Sequence, residues 1–125
     1  MTDNYLFDVE LIDESIRDLS RGRAAGLDNI SAEHLVYCHP ALCSILYRLF
    51  NAMICYYYVP RAFGLSYTVP ILKNNCSLFS KHITTDDFRG ITISCVLSKV
   101  FENVFLIDII LSLKLVTISL ALRPI

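Results

Sequence analysis

Apolar positions recur at helical spacing in three stretches of the chain. From Asp8 to Arg21, Ile12, Ile16 and Leu19 fall on one face, Asp8 can cap the start and Gly22 can end the helix. Pro40 suits the first turn of another helix, with Leu42, Ile45, Leu46, Leu49 and Met53 along one side until the tyrosines 56–58 and Pro60 stop it. Val96, Leu97, Val100, Phe101 and Val104 form a third stripe, with Ser94 or Ser98 near its start and Lys99 and Glu102 facing outward. Between the first two, Gly26, Asp28 and Asn29 predict a turn, and Ser31 can cap a short helix with Glu33 in its first turn.

Period-two patterning is confined to a smaller region. Leu65 to Leu72 is rich in strand-forming residues, and Pro70 within it requires an edge position or a bulge. A polar loop from Asn74 to Asp87 leads to a second short strand at Ile91-Thr92-Ile93. The pattern therefore predicts an α+β, mostly helical unit. From Val104 to Leu122 the periodicity is lost, and an almost wholly apolar tail is interrupted by Asp108 and Lys114.

Composition changes this picture in two ways. The chain of 125 residues has a formal net charge of −1, so it lacks the basic excess of a domain that grips nucleic acid through its phosphates. Its 54 % hydrophobic content and mean hydropathy of +0.51 are high for a free-standing domain, so some apolar surface is expected to stay uncovered. Cys38, Cys43, Cys55, Cys76 and Cys95 are odd in number and irregular in spacing. With no signal peptide ahead of them, they read as reduced, mostly buried thiols of an intracellular protein.

Three blocks carry candidate chemistry. The first is Arg23-Ala24-Ala25-Gly26-Leu27-Asp28-Asn29-Ile30-Ser31, a Gly-x-Asp turn in which Asn29 can accept a positive φ. Second comes Val59-Pro60-Arg61-Ala62-Phe63-Gly64 followed by Tyr67-Thr68-Val69-Pro70-Ile71-Leu72-Lys73. The third runs from Asp86-Asp87-Phe88-Arg89-Gly90-Ile91-Thr92-Ile93-Ser94 through Leu97-Ser98-Lys99-Val100-Phe101-Glu102.

In this order and spacing the blocks resemble the N-terminal fingers segment of the reverse transcriptases of non-long-terminal-repeat retrotransposons, over about Leu11 to Phe105. They match its Lys-x-small-Gly-x-Asp-Gly-Ile turn, its passage into Pro-Ile-x-Lys, and its Tyr/Phe-Arg-Pro-Ile-x-Leu stretch running into Lys-Ile/Val-Phe-Glu. Arg23, Asn29 and Gly90 depart from the family's Lys, Gly and Pro. The resemblance implies a partial fingers subdomain of a right-hand polymerase over residues 1–105 and an apolar tail over 106–125. It also implies that Lys73 and Arg89 reach the triphosphate of an incoming nucleotide, a role suited to a compact ammonium and a planar guanidinium fork.

The palm aspartates that hold Mg²⁺ in the full-length family are not among these motifs, so no cofactor is expected in this chain and no RNA-directed DNA polymerase activity. RNA template and deoxynucleotide are the family's partners; weak affinity or none is expected here. Codons ATC-AGT-TTG-GCT for Ile118 to Ala121 would give Gln-Phe-Gly if read two bases later, a tripeptide that often follows in the family, which suggests a frameshift between Phe105 and Ile118.

Plainer readings apply to the other candidates. Asp86 and Asp87 point to opposite sides of extended backbone and read as turn or cap carboxylates, not a metal pair. His34, Cys38, His39 and Cys43 are interrupted by Pro40 and read as packing residues, not zinc ligands. Tyr56, Tyr57 and Tyr58 read as a helix-end cluster packed on the core. The alternative to a reverse transcriptase fragment is a small helical interaction or membrane-associated protein with an apolar C-terminal anchor. Charged residues inside the tail weigh against a bilayer span, at about 2.5 to 3.5 kcal/mol each near its centre.

Overall fold

The structure is a computed structural model that describes residues 7–38, 40–73 and 82–123. In chain order it contains α1 (Val9–Arg17), α2 (Ala32–Val36), α3 (Ala41–Cys55), β1 (Ser66–Leu72), β2 (Phe88–Ser94) and α4 (Val96–Ala121), with short 3-10 turns at Arg61–Gly64 and Thr85–Asp87. The protein is thus α+β and mostly helical, with a small antiparallel sheet of two strands.

Local chemistry accounts for the boundaries. Asp8 caps α1, its carboxylate accepting the Glu10 N–H at 3.5 Å. The helix closes at Arg17, short of the expected Arg21, because Leu19 N–H turns to the Ile16 carbonyl and Gly22 takes φ +71°. Ser31 precedes α2, and the His34 ring nitrogen accepts the Ser31 N–H at 3.0 Å. At the end of α3, Tyr57 adopts φ 52° while Tyr58 N–H reaches back to the Met53 carbonyl at 2.9 Å and Tyr57 N–H to Ile54 at 3.2 Å. That is a Schellman closure with tyrosine at the position usually given to glycine.

One core joins α1, α3 and α4. Ile12 and Ile16 from α1 meet Leu46, Phe50 and Met53 from α3 and Val96, Val100, Phe101 and Val104 from α4. Phe50 and Phe101 cross edge to face with centroids 5.2 Å apart, and Phe7 makes a similar contact with Phe101 at 6.3 Å. Asn51 is buried among them without an unmet polar group: its side chain accepts the Phe7 N–H at 3.1 Å and donates to the Tyr47 carbonyl at 2.8 Å. Between α1 and α4, the Asn103 amide donates to the Ser15 hydroxyl at 3.2 Å.

The buried face of α3 differs from the one its apolar positions suggest. Leu42, Leu46, Phe50 and Met53 face inward, whereas Ile45 and Leu49 are exposed. The helix is apolar on more than one side, so spacing alone does not choose the face that meets α1 and α4. The tyrosines are likewise outside the core: Tyr56, Tyr57 and Tyr58 are all exposed, since the left-handed turn at Tyr57 carries the chain away from the body. Of the described cysteines only Cys95 is buried, while Cys38 and Cys55 are exposed.

Candidate functional site

The three blocks singled out in the sequence meet at one place. β1 and β2 pair so that Tyr67 faces Ile93, Pro70 faces Gly90, Ile71 faces Arg89 and Leu72 faces Phe88. Pro70 is tolerated because each strand of a two-stranded ribbon has a free edge, and the Thr68 and Thr92 hydroxyls bond across the ribbon at 3.0 Å. The second block therefore lies directly against the third.

The first block packs on the junction between β2 and α4. Tyr67 donates its hydroxyl to the Ala25 carbonyl at 2.8 Å. Asn29 takes φ 60° as its N–H closes on the Gly26 carbonyl at 3.1 Å, which realises the expected turn. Asp28 accepts the Ile30 N–H at 3.1 Å with one oxygen and the Cys95 thiol at 3.0 Å with the other. Gly26 lies so close to the junction that a Cβ there would stand 3.1 Å from backbone atoms of Ser94 and Cys95. Cys95 and Asp28 were legible only as a thiol and a turn carboxylate; nothing local in the sequence links residues so far apart.

This link has a pH signature. The Cys95 hydrogen bond, and secondarily that from Ile30, hold the Asp28 carboxyl below its ordinary value, while burial and then the Asp28 contact push the Cys95 thiol up. A lowered carboxyl pKa stabilises the fold above about pH 3.9, and that contribution is lost as pH falls through the folded value. The raised thiol pKa contributes fully below about pH 8.5 and is lost as pH rises through the folded value. Melting temperature is therefore expected to be highest between about pH 5 and 8. Asp28→Asn should flatten the acid side of the profile and Cys95→Ser the alkaline side, as followed by circular dichroism.

Lys73 and Arg89 end up as cross-strand neighbours at the open end of the ribbon. Alternation puts their side chains on the same face as Ile71, since Ile71 opposes Arg89 and Lys73 lies two residues further on. The Lys73 backbone N–H bonds the Asp87 carbonyl at 2.9 Å, and its ammonium reaches the Asp86 carbonyl at 2.6 Å. Both side chains are exposed. Further along that face a concavity of about 600 Å³ is floored by Ile71, Ile91, Ile93 and Val100 and flanked by Arg23 and Lys99. Neither Lys73 nor Arg89 lines it.

Of the acidic pair beside the ribbon, Asp87 serves the turn. The Asp87 carboxylate accepts the Thr84 N–H at 2.8 Å and the Thr84 hydroxyl at 3.1 Å, as a cap carboxylate does. Among the described residues no three His, Cys, Asp or Glu side chains are grouped to hold a metal ion. Cys76 and His39 lie outside the described residues. The chain matches no family model, no curated protein and no solved structure.

Proposed function

We propose that the α+β body of this chain is the fingers-type piece of a reverse transcriptase from a non-long-terminal-repeat retrotransposon, without polymerase activity of its own. What supports the reading is the convergence of the three blocks: the Arg23–Ser31 turn rests on the β2–α4 junction, and the strand ending in Lys73 pairs with the strand that begins at Phe88-Arg89. On this reading Lys73 and Arg89, side by side on one ribbon face, retain a weak grip on a nucleotide triphosphate, and no group of three acidic, His or Cys side chains among the described residues stands in for the palm aspartates.

The DNA downstream of the codon for Phe105 tests the origin. A neighbouring frame encoding Gln-Phe-Gly and then Tyr/Phe-x-Asp-Asp is expected, and the absence of both overturns it. Titration with a fluorescent deoxynucleotide triphosphate tests the site. Binding should be weakened on the order of tenfold in the Lys73→Ala/Arg89→Ala pair, since charge contacts made by exposed side chains contribute up to about 1 kcal/mol each. Equal binding by both proteins removes these residues from the assignment.

For what the chain does now, a second reading rests on a more direct observation: a small helical interaction or membrane-associated protein that works through its apolar C-terminal helix. α4 runs for 26 residues, and only 6 % of its most apolar window is buried. Large apolar side chains presented to water on this scale mark a contact surface. This reading draws on neither the family resemblance nor a triphosphate site, so it stands if the first falls.

A further inference from the structure

α4 is two different helices in one. Its first turns are fixed in the body by Val96, Val100, Phe101 and Val104, all buried. Beyond Val104 the helix continues without a break to Ala121, and every residue from Ile109 to Leu122 is exposed. At about 100° per residue, Leu111, Leu115 and Ile118 share one side and Ile109, Leu113, Val116 and Leu120 the opposite side. Their exposures run from 38 % at Ile109 to 68 % at Leu115, so neither side is covered.

We infer that the segment from Phe105 to Leu122 is seated in a lipid bilayer, an inference that rests on the second reading above and names its partner. A protein groove or a second copy of this chain covers one side of a helix and demands an apolar stripe with a polar back, which this segment lacks. Lipid covers every side. At about 1.5 Å per residue the segment is about 27 Å long, close to the roughly 30 Å hydrocarbon core. Thr117 donates its hydroxyl to the Leu113 carbonyl at 2.9 Å, so that polar group is satisfied within the helix and needs no water. Arg123 follows at the far end, where its guanidinium can stay among headgroups.

The two charged residues set the strength of the association. Asp108 lies within the first turn beyond the body, near enough to the surface for its carboxylate to remain hydrated. Lys114 stands close to the midpoint, about 13 Å from either end by the helix rise, too deep for its stem to reach water without distorting the bilayer. Lys114 therefore keeps the segment reversibly bound where an all-apolar helix of this length would be fixed.

Flotation of the full chain with phosphatidylcholine vesicles tests this, since neutral lipid excludes a merely electrostatic attraction. The chain is expected to float with the vesicles, Lys114→Leu to raise the vesicle partition coefficient at least tenfold, and Leu113→Asp/Val116→Asp to remain at the bottom with its far-UV circular dichroism showing the body folded. Failure of the unaltered chain to float overturns the inference whatever the Lys114 variant does. Sedimentation then separates the consequences. A self-associated chain means that a second copy covers α4 and leaves the second reading standing, whereas a monomer with α4 bare removes that reading as well.

Discussion

Phe50→Ala is expected to cost about 3 to 5 kcal/mol, a large share of the roughly 5 to 15 kcal/mol that keeps a domain folded. Phe50 is fully buried at the centre of α3, and its ring meets Phe101 of α4 edge to face at 5.2 Å. Removing it takes away the transfer energy of the ring and the aromatic contact together, and it opens a void that fixed neighbours such as Val100 and Val104, both fully buried, cannot fill without moving α4. Few other residues join α3 to α4, so the small core has little to share the loss. Phe50→Leu keeps most of the volume and is expected to cost much less, about 1 kcal/mol. Urea unfolding followed by circular dichroism measures both. A loss below about 1 kcal/mol for the alanine variant would mean that α3 does not pack as described.

Phe50 also shows where the sequence was readable and where it was not. The stripe on α4 could be read because Val96, Val100, Phe101 and Val104 are followed by Lys99 and Glu102 on the opposite side, so polar residues mark which face is outer. No such marking exists on α3, where Ile45 and Leu49 are as apolar as Leu46 and Phe50 and only the packing partner decides between them. Asp8 at the head of α1 and Asn29 at φ 60° were legible because capping and left-handed turns depend on the residue itself. Tyr57 was not, because a tyrosine in a left-handed helix end runs against the preference of its side chain and is imposed by the closure around it.

The candidate site divides in the same manner. Lys73 and Arg89 could be named from their blocks, and the strands that carry them could be expected from composition, but their adjacency depends on the register that sets Ile71 against Arg89. The docking of the Gly26 turn on Cys95 depends on contacts across almost seventy residues, and no local signal encodes it. At the other end, the loss of periodicity after Val104 identified an apolar tail. That this tail is one helix with the core-packed start of α4 follows from backbone continuity, and it makes the tail a projecting rod instead of a loose end.

Gly26→Ala is expected to cost about 1 to 3 kcal/mol, and Gly22→Ala provides the comparison that identifies the cause. The added Cβ at Gly26 would lie 3.1 Å from Cys95 Cα, Cys95 N and Ser94 C, which are backbone atoms that no rotamer change can withdraw. The turn must therefore lift away from the β2–α4 junction and take Asp28 with it. Gly22 presents the opposite case, φ +71° with nothing within 4 Å of the new methyl, so its alanine variant carries only the left-handed backbone cost of about 1 to 2 kcal/mol. Melting temperature alone does not separate the two. Thiol reactivity does, because Cys95 is buried under the turn with its Sγ–H on Asp28, whereas the exposed Cys38 and Cys55 react first in every variant. Under native conditions Gly26→Ala should make Cys95 accessible to a thiol reagent while Gly22→Ala leaves it protected. Equal protection in the two would place the loss elsewhere than at the junction.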